Sequence, residues 1–176
     1  MTARQHGGGE AKRRGGGALY TPEERRRRDA SPWTIVQAVL APLQFLVFLA
    51  SLALVLRYLA TGQGEAAAAL SVVVKTLTLY AIMITGSVWE KVVFGRWLFA
   101  PAFFWEDVFS MLVLALHSAY LVALYGDLLA PRALMLLALA AYATYVVNAG
   151  QFVLKLRAAR LQAAREAAPS GALAAA

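Results

Sequence analysis

Between Trp89 and Phe109 the chain reads WEKVVFGRWLFAPAFFWEDVF. Three carboxylates (Glu90, Glu106, Asp107) and two cations (Lys91, Arg96) sit among eight of its 19 aromatic residues. An aromatic belt at a membrane–water boundary accounts for part of this enrichment. A belt has no need of three carboxylates, however. Flat aromatic walls beside carboxylates and cations suit a large planar ligand that carries an anionic group. Trp89, Phe104 and Trp105 are the candidate walls, and Lys91 and Arg96 the candidate clamps for the anionic group. A carboxylic acid at an apolar boundary loses hydration in its charged form, which fits it to hold and deliver a proton near neutral pH. The competing structural reading pairs Glu90 and Asp107 with Lys91 and Arg96 at the interface.

Four polar stripes extend this chemistry into apolar surroundings. Gln37, Gln44 and Ser51 recur every seven residues, and Thr76, Tyr80, Ser87 and Glu90 follow at helical spacing. Glu106, Ser110 and His117 share one face, because 11 residues complete almost three helical turns. Thr144, Asn148, Gln151 and Lys155 form an i, i+4, i+7, i+11 series. Each stripe alone reads as helix–helix adhesion; four together point to a polar cavity, in which Asn148 and Gln151 orient water. Lys75 and His117 lie deeper, near mid-span. An unpaired lysine there costs ~2.5–3.5 kcal/mol on insertion scales, so Lys75 requires a partner or an outward path. His117 is either a hydrogen-bonded core residue or an axial ligand or proton relay.

The elements that must position these residues follow from composition. The chain has 176 residues, 60% of them hydrophobic and 15% charged, against ~45–50% and ~25% in soluble domains. Four apolar spans are expected at about 35–56, 66–88, 103–125 and 133–154, each long enough for ~30 Å of hydrocarbon. Lipid requires helices there, so the fold class is an all-α integral membrane protein, a four-transmembrane-helix bundle. Gly62-Gln63-Gly64 and the 126–131 segment form tight turns on one side, and 90–102 a longer connector on the other. Fourteen of the 17 basic residues fall in the two tails and that connector, only Arg57 and Arg132 on the opposite side. Both termini are therefore expected in the cytoplasm.

Residues 1–18 are read as a disordered basic Gly-rich head, 19–160 as the transmembrane domain and 161–176 as an Ala-rich cytoplasmic tail. Thr21-Pro22-Glu23-Glu24 carries a capping box that starts a short helix bearing Arg25 to Arg28, and Ser31-Pro32 repeats the capping signal. The absence of cysteine and the presence of only two histidines leave no expected metal-ligand set and no cofactor. The net charge of +7 flanks apolar spans, so an anionic bilayer surface is the expected partner and nucleic acid is not. A large soluble catalytic domain is excluded.

Three segments carry a resemblance. They are Trp89 to Gly95 (WEKVVFG), Leu98 to Ser110 (LFAPAFFWEDVFS) and Ala141 to Phe152 (AYATYVVNAGQF). Through them the chain resembles the 2-vinyl bacteriochlorophyllide hydratases, also called chlorophyllide 3-vinyl hydratases, over roughly Tyr20 to Arg160. The resemblance implies addition of water to the ring-A vinyl group of chlorophyllide or bacteriochlorophyllide, giving a 1-hydroxyethyl group in bacteriochlorophyll synthesis. It implies no established catalytic assignments. It also implies a bacterial inner membrane, cytoplasmic or photosynthetic, with a homo-oligomer or a complex with other pigment-synthesis enzymes left open.

Chemistry then suggests roles. Protonation of the terminal vinyl carbon places positive charge on the carbon joined to the macrocycle, and water adds there. Glu106 or Asp107 is the expected acid, the ionised partner and Glu90 stabilise the cation, and Asn148 and Gln151 orient water. Lys91 or Arg96 meets the substrate carboxylate. Two rival readings are a non-catalytic membrane pigment carrier or assembly factor and a small quinone-binding or electron-transfer subunit.

Overall fold

Thr21 and Glu24 cap each other at the start of the first helix. Glu24 N–H donates to Thr21 Oγ1 at 3.2 Å, and Thr21 N–H donates to Glu24 Oε2 at 2.8 Å. This reciprocal cap sets α1 (Pro22–Ala30), with Pro22 in the first turn, where a missing N–H costs nothing. The computed structural model describes residues 19–167. The expected head (1–18) and the last nine residues of the expected tail lie outside them.

Ser31 departs from expectation, because its side chain makes no capping bond with α2 (Pro32–Thr61). One residue separates the two helices, so the last carbonyls of α1 claim the nearby donors. Ser31 N–H and Thr34 Oγ1–H both donate to the Arg28 carbonyl, at 3.2 and 2.6 Å.

Three long helices follow: α3 (Glu65–Phe94), α4 (Phe104–Tyr125) and α5 (Pro131–Ala167). With α2 they are, among the described residues, the four helices long and apolar enough to cross a membrane. The helix α4 matches its expected span to within one residue, whereas α2, α3 and α5 run beyond theirs because helical bonding continues until the backbone meets a breaker. Gly62 and Gly95, at φ 71 and 78, close α2 and α3 in the left-handed conformation that glycine adopts without a Cβ clash. As a result α3 reaches six residues past its expected end. Residues 90–94 of the expected connector stand on its last turns, and the connector shrinks to 95–103. At 37 residues, α5 is about 55 Å long, well beyond a hydrocarbon core.

The bundle is built from two antiparallel hairpins, α2 with α3 and α4 with α5, which also pack across α2–α5, α3–α4 and α3–α5. The start of α2, the end of α3, the start of α4 and the later turns of α5 meet at one end, beside the 95–103 connector. This is the connector end of the bundle. Leucine, isoleucine and valine side chains cover the outside, with Ile35 68% and Leu46 63% exposed. A lipid environment solvates such a surface; water does not.

The polar stripes turn inward. Gln44 and Ser51 of α2, Thr76 and Glu90 of α3, Glu106, Ser110 and His117 of α4, and Asn148 of α5 are all buried. Around mid-depth the core is aromatic, with Phe48 packed on Tyr142 and Tyr145 at centroid distances of 5.4 and 4.9 Å. A hydroxyl chain crosses it. Ser71 donates to the Ala68 carbonyl, which leaves Ser51 to donate to Ser71 and Tyr142 to donate to Ser51.

Candidate functional site at the connector end

The connector is fastened by two carboxylates. Phe99 N–H donates to Asp107 Oδ2 at 2.8 Å, and the next amide, Ala100 N–H, donates to Glu90 Oε2 at 3.3 Å. Consecutive N–H groups thus bring a carboxylate from the last turns of α3 beside one from the first turn of α4, and the two carboxyl groups face each other. Phe99 adopts φ 58 to make this turn, a conformation that a bulky side chain enters only when its surroundings enforce it. The Asp107 hydrogen bond is part of that enforcement.

Glu106, one residue earlier, turns to α5. Lys155 Nζ donates to its Oε2 at 2.5 Å and lies 5.0 Å from the Phe103 ring centre. One turn further into the bundle, Asn148 Nδ2 donates to Ser110 Oγ at 2.9 Å. Asn148 Oδ1 and Gln151 Oε1 are buried and accept no hydrogen bond from the described residues. Glu90, Glu106, Asp107, Asn148 and Gln151 therefore converge on one end of the bundle interior. Neither Lys91 nor Arg96 pairs with these carboxylates: Lys91 Nζ donates to the Gly95 carbonyl at 3.1 Å, and both side chains are exposed.

The aromatic residues divide into two populations. Trp89, Phe94, Phe103 and Phe152 pack together at the connector end with centroid distances of 5.7–5.9 Å. Trp89 also donates its indole N–H to Thr34 Oγ1 at 3.0 Å, tying α3 to α2. Trp97, Phe99, Phe104 and Trp105 instead face outward, Trp105 being 65% exposed. Of the three expected walls, Trp89 joins the interior cluster, while Phe104 and Trp105 stand on the outer face. His117 lies deeper in α4, fully buried, with Nδ1 donating to the Val113 carbonyl at 2.8 Å.

Two residues enter the site beyond the expected catalytic and binding set. Tyr20 precedes α1 and inserts into the aromatic cluster, stacked on Phe94 at 5.8 Å with 11° between planes. The Arg28 guanidinium lies over the Tyr20 ring, 4.7 Å from its centre. Burial pushes the pKa of the Tyr20 hydroxyl up, which keeps the ring neutral in this slot. No periodicity marks a tyrosine beside a Gly-rich tail. Lys155 did carry a signal, as the last member of the stripe that begins at Thr144, but its pairing with Glu106 required the α4–α5 register. Among the described residues no cluster of three or more potential metal-binding side chains occurs.

Residues 20–158 match the family described as 2-vinyl bacteriochlorophyllide hydratase. The chain belongs to the 2-vinyl bacteriochlorophyllide hydratase family. The match begins at Tyr20, the residue that plugs the aromatic cluster, and ends three residues past Lys155. A family member named 2-vinyl bacteriochlorophyllide hydratase from Rhodobacter capsulatus is 67% identical over 139 residues, 79% of this chain and 81% of that protein. A second of the same name, from Cereibacter sphaeroides, is 67% identical over 135 residues, 76% of this chain and 83% of that protein. No solved structure shows significant similarity.

Proposed function

We propose that this multi-pass membrane protein hydrates the vinyl group of a 2-vinyl bacteriochlorophyllide during bacteriochlorophyll synthesis, acting as a hydro-lyase in the direction of water addition. The observation that carries the reading is the family match over most of the chain. The connector end supports it chemically, by placing carboxyls, a cation and unpartnered amide oxygens next to an aromatic cluster.

The reaction needs a proton, a positioned water and relief for a transient cation. Adjacent carboxyls in an apolar site can carry one proton between them, because like charges at contact distance repel. In this reading the Glu90–Asp107 pair supplies that proton to the terminal vinyl carbon. The resulting cation is conjugated with the macrocycle and faces the Glu106 carboxylate that Lys155 orients. Water bound at Asn148 Oδ1 and Gln151 Oε1 attacks the cationic carbon and returns a proton to the carboxyl pair. The net change is the gain of one water, with no redox step.

The macrocycle is too large for the packed interior. It approaches at the edge of the aromatic cluster, where Trp89 is only partly buried, with exposed Lys91 or Arg96 meeting its carboxylate. We assign the connector end to the cytoplasmic face of a bacterial inner membrane, because the basic residues concentrate on that side.

Membranes from cells expressing the full chain, incubated with the vinyl pigment, test the reading. The expected result is steady loss of the vinyl pigment and growth of a more polar product on reversed-phase chromatography. Pigment that binds these membranes and is recovered unchanged overturns it in favour of a carrier.

A further inference from the structure

Away from the carboxylates, the interior contains a second polar set. Lys75 of α3 and His117 and Tyr120 of α4 are each 0% exposed. Lys75 Nζ, His117 Nε2 and Tyr120 OH have no hydrogen-bond partner among the described residues. Lys75 has a cation–π contact, 3.8 Å from the Tyr145 ring centre, but no acceptor for its N–H groups. This is not a general looseness of the core. The neighbouring hydroxyls of Ser51, Ser71 and Tyr142 are all paired, and Tyr80 and Ser118 bond each other at 2.7 Å.

The ligand that fits is defined by the hydrogen-bond inventory. Because a carbonyl can only accept, His117 Nδ1 must donate to Val113, and in the neutral ring Nε2 is left as an acceptor. Lys75 and Tyr120 are donors. A complementary ligand accepts at least two hydrogen bonds and donates at least one. A carboxylate or halide would set lone pairs against His117 Nε2, and a metal ion there would meet the Lys75 ammonium. Water, which both donates and accepts, can meet each of the three groups.

These atoms also continue toward the reaction end. His117 lies beside Tyr142 at 5.8 Å, and Lys75 sits over Tyr145. Along α5, Tyr142, Tyr145 and Asn148 are all buried and come at three-residue steps, each about 4.5 Å further along and turned about 60° round the helix, so Asn148 neighbours Tyr145, and Gln151 follows one step beyond. Of the six buried side-chain atoms without partners among the described residues, five belong to α3, α4 and α5: Lys75 Nζ, His117 Nε2, Tyr120 OH, Asn148 Oδ1 and Gln151 Oε1.

We propose that Lys75, His117 and Tyr120 bind water at mid-depth, at the inner end of a water file that runs along α5 to Asn148 and Gln151. The role of the file rests on the hydratase reading: it stores the co-substrate beside an apolar reaction site. Lys75, His117 and Tyr120 are positioning residues and do not touch the pigment.

X-ray radiolytic footprinting of the full chain in nanodiscs tests the site directly, since it oxidises side chains next to bound water. His117, Tyr120 and Tyr145 are expected to be labelled about tenfold faster than Phe48, and Lys75→Met to remove most of that excess. Labelling of these residues no faster than Phe48 overturns the proposal. In turnover assays, Lys75→Met and Tyr120→Phe are expected to lower kcat about tenfold with KM for the pigment unchanged. Wild-type kcat in both overturns the supply role. Tyr120→Phe removes one oxygen and keeps the ring, so it carries both comparisons if Lys75→Met does not fold. If the wild-type protein hydrates no pigment, the hydratase reading fails, and footprinting still decides whether the water is there.

Discussion

Lys155 Nζ lies 2.5 Å from Glu106 Oε2, joining α5 to the first turn of α4 at the level of the connector. The Lys155 side chain is 27% exposed and that of Glu106 9%, so the pair is only partly screened. Lys155→Met is expected to lower stability by about 1–2 kcal/mol, less than the loss on breaking a fully buried pair. Lys155→Arg is expected to retain most of it. Thermal unfolding midpoints in detergent check this, and an unchanged midpoint in Lys155→Met counters the pairing.

The Glu90–Asp107 pair has two tasks that isosteric amides separate. Glu90→Gln and Asp107→Asn keep a carboxamide oxygen for the Ala100 and Phe99 amides, so the connector stays fastened while the acidic proton is lost. Turnover of the vinyl pigment is expected to fall about a hundredfold or more in each. Wild-type rates in both variants remove the pair as the proton source.

Tyr20 is the anchor of α1, which has no buried residue of its own. Tyr20→Ala is expected to release the helix and speed tryptic cleavage at Arg25 to Arg28 about tenfold, whereas Tyr20→Phe keeps the stack and the wild-type rate. Time-resolved limited proteolysis reads both. Equal cleavage in all three proteins contradicts the anchoring role.

The chain has no cysteine, so one introduced thiol reports membrane sidedness without background. A membrane-impermeant maleimide is expected to label Gln63→Cys from outside intact cells and Trp97→Cys only in inside-out vesicles. The reverse pattern places the connector end outside.

The spans, the inward stripes and the capping box at Thr21 were legible because lipid makes hydrophobic length and polar placement costly to violate. The expected ends of the first, second and fourth spans fell short because hydropathy registers where the bilayer is crossed, whereas a helix stops only at a breaker such as Gly95. The convergence of Glu90, Glu106, Asn148 and Gln151 followed from their stripes, and that of Asp107 from its place beside Glu106. Their partners did not: the Lys155–Glu106 and Asn148–Ser110 pairs depend on how α4 and α5 are registered, which neither sequence encodes alone. The direction of Phe104 and Trp105 was equally hidden, because aromatic residues suit both a lipid boundary and a packed core.

Hydration as the chemical step is tested most directly by the origin of the product oxygen. The full chain in membranes is incubated with the vinyl pigment in water enriched in oxygen-18, and the product mass is recorded. A product heavier than the substrate by one water, with its new oxygen carrying the solvent label, is the predicted result. A product with unlabelled oxygen, or pigment of unchanged mass, contradicts the account.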